Sequence, residues 1–517
     1  MYGNVVLAID AGGSVVKAAA FDVESGQMVC AARPVPLAHP VPGRSERDPE
    51  VLWAATAECV REVLAGLSGC CVLTVGLTSH GNGLYLVDKR GRPVRAAIMA
   101  SDTRAAPLVR RWAADGLEPV LQVRSWNGLW AGQPGPILAA LALEEPSVLA
   151  RAYAAASCKD YLWAKLTGVL EAELTAASAG GLYDSAAWAE AGGVMPLPVS
   201  EVAVTALGLE RWRHLLPTPI DPATVRPLTP EAASATGLPA GTPVVAGLVD
   251  NAAMQHGSGV FDSGTICAGA GTWSINQVLV PARRATGGGL VAVIRPNAAN
   301  IALGRTALLC EASPTSASML DWALRQAITA GRTADEAAGR DAYAAQLERE
   351  GERVRSPDDP LFLPFLDGSR TDSGARGAWV GLSSATGERD LLGAVIEGVC
   401  LEHRRHVDRL QAGLPGPVPV RLSGGATRSA VWCQRFADTL GVPVEVSPVT
   451  ELGCVGAAAL AGVACGVYSD VSSGVGLLNP EWCTYVPSPD GRDFEAARYA
   501  RYCRYAELFD HRPWEES

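Results

Sequence analysis

The chain has little positive charge, few cysteines and no long hydrophobic run. Among its 517 residues, 43 Lys and Arg stand against 54 Asp and Glu, which gives a formal net charge of −11. Nucleic acids and anionic membranes attract basic surfaces, so both are poor candidates for partners. Glycine and proline, at 55 and 35 residues, stay below low-complexity levels, and 48% of the chain is hydrophobic. The composition predicts a folded protein, and the length predicts two to four domains.

The 13 cysteines are scattered, and no Cys-x-x-Cys pair or Cys/His cluster has the spacing of a metal site. This usage is too low for a disulfide scaffold and fits reduced thiols. The most apolar long segment, Cys454 to Val467, is too short to span a bilayer. The first apolar stretch meets Asp10 too early for a signal peptide. We therefore expect a cytoplasmic protein.

Two segments share one pattern of strand, glycine-rich tip and strand. The first runs from Val5 to Phe21 with the tip Gly12-Gly13-Ser14, and the second from Thr265 to Val280 with a tip at Gly271-Thr272. Backbone N–H groups in such a turn can converge on one anion, and glycine lets a phosphate come close. A hairpin turn of either kind also occurs without any ligand, so the pair is more informative than each tip alone.

The pattern between and after these hairpins is that of an α/β protein. Helical periodicity covers Pro49 to Leu67, Leu391 to Leu410 and Ser429 to Leu440. Strand-like runs occur at Val72 to Leu77, Val244 to Leu248 and Val418 to Leu422, so strands and helices alternate. Residues 226–243 are rich in Pro, Gly and small residues, which predicts a domain junction there.

Two aspartates directly follow apolar strands. Asp10 follows Val5 to Ile9, and Asp250 follows Val244 to Val249. Sites in α/β domains collect at strand ends, and two carboxylates facing a phosphate suit one Mg²⁺ ligand and one base. Asp250 is equally suited to cap a following helix, and the two roles are compatible.

Two further segments have the composition of binding loops. Val420 to Ser429 reads as a strand, the pair Gly424-Gly425 and a helix start, a niche suited to a nucleotide; it contains neither a Walker loop nor the G-x-G-x-x-G fingerprint. The run from Gly76 to Asp88, with His80, and the run from Ala100 to Arg104 carry side chains able to hydrogen-bond several hydroxyls. A structural role remains open for each: a tight turn, a core histidine, and an ion pair of Asp102 with Arg104.

Taken in this order, the segments resemble the FGGY family of carbohydrate kinases. The most specific stretch is Gly377 to Leu382 followed by Asp390 to Gly398, and the blocks Leu361 to Arg370 and Glu451 to Ala458 are similar to neighbouring family blocks. The resemblance implies an α/β fold of two domains, the actin, hexokinase and Hsp70-like (ribonuclease H-like) ATPase fold with an interdomain cleft. It also implies ATP and Mg²⁺. We expect the domains to be residues 1–240, with the sugar site and first phosphate hairpin, and 241–517, with the catalytic aspartate, second hairpin and adenosine pocket.

The resemblance also assigns roles to residues. Asp250 would be the catalytic base that accepts the proton of the attacking sugar hydroxyl, and Asp10 would help to hold Mg²⁺. The residues implied for ATP are Gly12, Gly13, Ser14, Lys17, Gly271, Thr272, Gly424, Gly425, Ala426 and Ser429. Those implied for the sugar are His80, Gly81, Asp102, Arg104, Trp130, Gln133 and Asn251.

The sequence departs from the family pattern at two places. The first tip carries Gly12-Gly13 where the family usually has Gly-Thr, so a hydroxyl donor is missing. The stretch from Trp130 to Leu138 lacks the usual Lys and Trp of the family signature. The run from Ser79 to Tyr85 is more similar to kinases of L-xylulose or erythritol than to D-xylulose kinases, which usually show Gln-x-His-Gly.

These observations predict phosphoryl transfer from ATP to a primary hydroxyl of an open-chain pentulose such as xylulose. A homodimer is compatible with the sequence, which leaves the oligomeric state open. Sugar binding is expected to close the two lobes and exclude water, so that ATP hydrolysis is slow without sugar. A polyol such as erythritol or glycerol is the alternative acceptor. A non-catalytic sugar or nucleotide sensor, and an ATP-driven chaperone or filament protein, are alternatives from other classes.

Overall fold

A computed structural model of the chain describes residues 3–67, 69–193, 196–281, 290–293, 306–324, 348, 355–366, 368–369 and 375–510. Within the block from Leu361 to Arg370, Asp367 and Arg370 lie outside the described residues. In the part that is described, no helix has the length and apolar character needed to cross a membrane.

Strands and helices alternate along the chain. The strands are β1 Asn4–Ala11, β2 Val15–Asp22, β3 Met28–Pro34, β4 Glu46–Arg47, β5 Cys71–Ser79, β6 Tyr85–Val87, β7 Ala97–Ile98, β8 Ala154–Ala156, β9 Ala172–Glu173, β10 Pro219–Ile220, β11 Val225–Pro227, β12 Pro243–Val249, β13 Ile266–Ala270, β14 Ser274–Pro281, β15 Leu290–Val293, β16 Thr306–Ser313, β17 Leu361–Leu363, β18 Ala378–Val380, β19 Val420–Ser423, β20 Val444–Val446 and β21 Cys483–Tyr485. The helices are α1 Pro49–Ala65, α2 Ala106–Ala114, α3 Leu117–Ser125, α4 Pro134–Glu144, α5 Pro146–Leu149, α6 Cys158–Thr167, α7 Leu174–Ala179, α8 Ser185–Glu190, α9 Glu201–Ala206, α10 Pro230–Thr236, α11 Asp250–Gly257, α12 Ser318–Trp322, α13 Glu388–Gln411, α14 Ala430–Leu440, α15 Leu452–Ala464, α16 Val471–Leu478 and α17 Arg492–Asp510.

The predicted α/β class is confirmed, and both glycine tips lie in hairpins. β1 pairs with β2 antiparallel across the first tip, and β13 with β14 across the second. The helices predicted over 49–67, 391–410 and 429–440 are α1, α13 and α14. Their ends carry the expected signals: Asp48 caps α1 and Ser429 caps α14, each accepting a hydrogen bond from a backbone N–H of the first turn.

The described residues group into two compact units. Unit 1 comprises residues 1–261, 279–309 and 451–480. Its six-stranded sheet has the order β11-β12-β5-β1-β2-β3, in which β1, β5 and β12 are parallel. The segment 226–243, for which the sequence predicts a junction, contributes α10 and parts of β11 and β12 to this unit. The domain division at residue 240 stays a prediction.

Unit 1 is completed by helices from far along the chain. α15 packs against β1, β5 and β12 and lies next to α11. The two helices approach closely at Gly257 and Gly456: a methyl group on Gly456 would collide with the carbonyl oxygen of Ala253, and one on Gly257 with that of Leu452. Only glycine permits this distance. The contact fixes the helix that begins with Asp250.

Unit 2 comprises residues 262–278, 310–450 and 481–517. In its sheet, β14, β13, β19, β20 and β21 are neighbours in that order, and β13, β19 and β20 are parallel. α13 packs on β17 and on α14. The carboxyl ends of β13 and β19 lie side by side, because Gly269 pairs with Ser423.

Candidate active site

Three parallel strands of unit 1 end at the same edge of the sheet. In register, Asp10 of β1 pairs with Thr78 of β5, and Val249 of β12 pairs with Ser79 of β5. Asp10 and Asp250 therefore lie on either side of the end of β5, where the chain continues into His80. This is the arrangement in which α/β domains gather functional side chains.

Asp250 is the first residue of α11 and is held by backbone N–H groups. Its Oδ1 accepts a hydrogen bond of 2.8 Å from the N–H of Asn251, and the N–H of Gly81 also donates to the carboxylate. A Cβ on Gly81 would lie 2.9 Å from Val249 Cγ2, so glycine allows this approach. Desolvation outweighs these hydrogen bonds and raises the pKa of Asp250 to about 6. The carboxylate can thus both lose and accept a proton near neutral pH.

Asp10 lies near the carboxylate of Asp250, and few hydrogen bonds or positive charges offset the repulsion between them. Burial and the negative charge of Asp250 raise the pKa of Asp10 to about 7, while Lys17 lowers it. Oδ1 of Asp10 is buried and has no hydrogen-bond partner among the described residues. Such an oxygen is suited to a cation or to a water bound to one.

Within the described ranges, no site presents itself for a metal held only by protein side chains. No group of three or more His, Cys, Asp or Glu side chains placed to bind an ion occurs among the residues described. Mg²⁺ is usually bound by one or two carboxylates together with phosphates and water. Asp10 fits that pattern.

The first hairpin tip is exposed at residues 13 and 14. The N–H of Gly12 donates to the carbonyl of Val15 at 2.9 Å and closes the turn. Gly13 and Ser14 are exposed, and a Cβ on Gly13 would have no atom within 4 Å. Lys17, on β2 opposite Asp10, forms an ion pair of 2.6 Å with Glu451, so its charge is compensated within unit 1.

The segments predicted to bind sugar meet in unit 1. The N–H of Gly83 donates to the carbonyl of Gly132 at 3.0 Å, which joins the loop after β5 to the loop of Trp130 and Gln133. Trp130 is half-buried and Gln133 is buried. His80 is buried, and this burial together with the charge of Arg47 lowers the pKa of its imidazole to about 3, so His80 is neutral.

Asp102 and Arg104 form a buried ion pair. Oδ1 of Asp102 accepts from the backbone N–H and Nε of Arg104, and Oδ2 accepts from the N–H of Ser45 and from Nη2 of Arg104. Arg104 also pairs with Glu46 at 2.6 Å. These bonds use both oxygens of Asp102 to join the 101–104 segment to β4, so Asp102 has a structural role whatever else it contacts. Asn251 lies next to Asp250, and its Oδ1 accepts from the N–H of Ala252 at 2.8 Å.

In unit 2 the second tip and the glycine loop after β19 are neighbours. Gly424 has a φ of +94°, and a Cβ there would collide with the carbonyl of Ala270, so this position requires glycine. The carbonyl of Gly271 accepts a hydrogen bond from the N–H of Ser318 at 3.2 Å. The carbonyl of Thr272 accepts one from the hydroxyl of Ser318 at 3.3 Å. The tip, Gly424 and Gly425 thus form one surface region, and Ala426 next to them is buried. Ser429 caps α14 through its side chain.

The structure also places a buried chain of polar groups behind Asp250, which the sequence did not indicate. Nζ of Lys159 binds Glu173 at 2.6 Å, Glu173 accepts from the hydroxyl of Thr175 at 2.7 Å, and that hydroxyl accepts from the N–H of Val249 at 2.9 Å. Lys159 also donates to the carbonyl of Ala246 in β12. No local pattern marks these residues: Lys159 and Thr175 lie in ordinary helical segments, and Glu173 ends the two-residue strand β9.

Comparison with known proteins agrees with this geometry. Residues 5–257 match the N-terminal domain of the FGGY family of carbohydrate kinases, and residues 267–465 match its C-terminal domain. The L-xylulose/3-keto-L-gulonate kinase of Escherichia coli (strain K12) is 32% identical over 506 residues, which cover 96% of this chain and 95% of that protein. The erythritol kinase of Brucella abortus (strain 2308) is 32% identical over 521 residues, covering 98% and 95%.

Solved structures share the fold. The ligand-bound xylulose kinase of Lactobacillus acidophilus superimposes with a TM-score of 0.84 at 21% identity, covering 98% of this chain and 99% of that one. The predicted two-domain, actin-like α/β fold is therefore confirmed. With both family domains matched over most of its length, the chain belongs to the FGGY family of carbohydrate kinases.

Proposed function

We propose that this sugar kinase transfers the γ-phosphoryl group of ATP, with Mg²⁺, to a primary hydroxyl of an open-chain pentulose such as xylulose. The observation that carries the proposal is Asp250: a carboxylate at a parallel strand end, held by backbone N–H groups, with a pKa raised to about 6. A general base works best when its pKa lies near the working pH.

The chemistry follows from this carboxylate. The hydroxyl oxygen of the sugar forms a bond to the γ-phosphorus while the bond to the bridging oxygen of ADP breaks, and Asp250 takes the hydroxyl proton. Positioning and electrostatics supply most of the rate, because phosphoryl transfer needs little covalent help. The N–H groups that hold Asp250 keep it oriented toward the acceptor.

The phosphates are assigned to the glycine tips. Gly12, Gly13 and Ser14 in unit 1, with Gly271 and Thr272 in unit 2, would bind the phosphates, and Gly424, Gly425 and Ala426 the adenosine. Asp10 would hold Mg²⁺ directly or through water; its buried, unpartnered Oδ1 supports this assignment. Mg²⁺ supplies charge neutralisation at the phosphates when bound.

The acceptor is assigned from both the site and the relatives. Neutral His80, Gln133 and Asn251 offer hydrogen-bonding groups rather than charge, which suits a neutral polyhydroxy compound. L-Xylulose and erythritol kinases at 31–32% identity support a ketose or a polyol. Erythritol is the second candidate, because its kinase matches this chain over 98% of its length.

An ADP-coupled assay over D-xylulose, L-xylulose, the ribuloses, erythritol and glycerol tests the proposal. We expect sugar-dependent ADP release that is highest with one pentulose, and slow ATP hydrolysis without sugar. Sugar binding without turnover would support a sensor instead. Sugar-independent hydrolysis or polymerisation would support an actin-like chaperone or filament protein.

The assignment of the base is tested by Asp250→Asn and Asp250→Ala. Both should lower kcat by several orders of magnitude with little change in ATP affinity, since the proton acceptor is lost while the phosphate contacts remain. Asp88→Asn, in a surface turn of the same unit, serves as the matched control and should keep activity. Activity of Asp250→Ala close to that of the original chain would disprove the role of Asp250.

A further inference from the structure

Arg47 lies beneath the first hairpin tip without a partner for its charge. It ends β4 and is 1% exposed, and Nη2 donates to the carbonyl of Gly12 at 3.1 Å and to that of Gly13. Nε and Nη1 are buried with no hydrogen-bond partner at bonding distance among the described residues, and the neighbouring Tyr85 hydroxyl, whose pKa is raised by burial, brings no negative charge. No carboxylate of the described part forms an ion pair with Arg47. Because guanidinium stays charged in proteins, a full positive charge is held behind the tip.

The two carbonyl contacts determine where the tip N–H groups point. In a trans peptide the C=O of one residue is antiparallel to the N–H of the next. With the carbonyls of Gly12 and Gly13 turned to Arg47, the N–H groups of Gly13 and Ser14 point to the opposite side. Neither N–H is bonded to a described residue, and both residues are exposed. Successive N–H groups with this orientation form a concave anion site.

We propose that Arg47 is a positioning residue for the phosphates of ATP: it holds the Gly12-Gly13 tip with its N–H groups outward and supplies uncompensated positive charge behind it. The proposal rests on the function proposed above. It also accounts for the departure at Gly13, because a tip held from below by a guanidinium has less need of the threonine hydroxyl found in most of the family.

The isolated charge is the feature that a purely structural role leaves unexplained. A buried cation without a counter-ion destabilises a fold. Its cost is offset when a ligand brings negative charge to the same place, and phosphate is such a ligand. Removing the charge should therefore weaken nucleotide binding while leaving the stability of the ligand-free chain unchanged or higher.

The experiment compares Arg47→Gln and Arg47→Lys with the original chain in binding titrations. The probes are the non-hydrolysable ATP analogue AMP-PNP with Mg²⁺, and adenosine, which lacks phosphate. Arg47→Gln should raise the Kd of AMP-PNP at least tenfold and leave that of adenosine unchanged. Arg47→Lys keeps the charge, but its side chain is one atom shorter and does not bring a nitrogen to the place where Nη2 meets both carbonyls, so its loss should be smaller than that of Arg47→Gln. The KM of ATP should rise in parallel, with the KM of sugar unchanged.

The control is Arg124→Gln, which removes a partly buried guanidinium paired with Asp184 in the same unit and should leave both affinities unchanged. Equal affinity of Arg47→Gln and the original chain for AMP-PNP would overturn the proposal, as would an equal loss for adenosine. A lower melting temperature with unchanged affinity would assign a structural role only. If Arg47→Gln fails to fold, Arg47→Lys still tests the carbonyl contacts, and an AMP-PNP affinity equal to that of the original chain would then overturn the positioning role. Nucleotide binding that depends on Arg47, in a chain that phosphorylates no sugar, would leave this inference standing and refute the proposed function alone.

Discussion

Two buried carboxylates at the edge of the unit 1 sheet, Asp10 and Asp250, lower the stability of the fold when they are charged. Asp10 and Asp250 repel each other, and each is surrounded by protein that raises its pKa. Neither is fully compensated by hydrogen bonds. Such groups make the folded chain bind protons more tightly than the unfolded chain does, so stability depends on pH.

The variant Asp10→Asn should show this dependence. The pKa of Asp10 is about 7 in the folded chain against 3.8 for the ordinary group, so its contribution to the free energy of unfolding falls as pH rises from about 4 to about 7. An uncharged Asn has no such loss. Urea unfolding should therefore find Asp10→Asn more stable than the original chain by about 1–3 kcal/mol at pH 8, and about equally stable near pH 4.

Asp88→Asn is the control, because the pKa of Asp88 is shifted in the opposite direction. Burial raises the pKa of Asp88, but hydrogen bonds from Arg92 and from the N–H of Arg90 outweigh burial and hold this pKa below its ordinary value. Its stabilising contribution is present above that value and is lost on acidification, so Asn should not stabilise the chain at pH 8. A gain in Asp88→Asn equal to that in Asp10→Asn would assign the effect to net charge instead.

Thr175 holds the end of β12, one residue before Asp250. Its hydroxyl accepts from the N–H of Val249 and donates to Glu173, so Thr175→Val leaves a buried N–H and a carboxylate oxygen short of partners. We expect a loss of about 1–3 kcal/mol in the free energy of unfolding. We also expect a lower kcat, because Val249 immediately precedes Asp250, the proposed base. Thr175→Ser keeps the hydroxyl and should recover most of both. Denaturant titration and the coupled assay measure these effects; full activity in Thr175→Val would argue against positioning.

At the scale of elements, the position of Asp250, the proposed base, depends on the contact between α11 and α15. Gly456→Ala would bring a methyl group against the carbonyl of Ala253, and backbone cannot yield as a side chain does. We expect destabilisation of about 1–3 kcal/mol, typical of overpacking, and reduced kcat as α11 shifts. Gly476→Ala, at an exposed position of α16 with no atom within 4 Å of the new Cβ, should leave activity unchanged and stabilise slightly. Melting temperatures that fall equally in both would contradict this account.

Elements were predictable from sequence where the signal is local. Short continuous apolar runs identified β1 and β12, and with them the strand ends that carry Asp10 and Asp250. The glycine tips were visible as glycines between two apolar runs, although a Cβ on Gly13 or Gly271 would meet no atom within 4 Å; among these loops it is Gly424 whose backbone requires glycine. Arg47 and Thr175 were not identified, because an arginine after a short polar run or a threonine in an alanine-rich helix has no distinctive pattern. Their meaning comes from tertiary neighbours, as does that of Lys17, whose partner Glu451 is 434 residues away.

The whole molecule is built from units that are discontinuous in sequence. Unit 1 needs residues 451–480, since α15 covers β1, β5 and β12 and contacts α11. A fragment of residues 1–261 would expose that apolar surface and leave Lys17 without Glu451. We expect the fragment to be poorly folded by circular dichroism, and a fusion of 1–261 to 451–480 through a flexible linker to recover a cooperative thermal transition. A cooperative transition in the fragment alone would contradict this dependence.

The Lys17–Glu451 pair also bears on when unit 1 can fold during synthesis, because the two residues are 434 positions apart. A polypeptide leaves the ribosome from its amino end, so the hairpin of β1 and β2 is synthesised long before the glutamate that pairs with its lysine. Unit 1 can assemble fully only when translation is nearly finished. Nonsense mutations anywhere upstream of codon 451 should therefore yield products that are degraded as misfolded protein, rather than a stable half-enzyme.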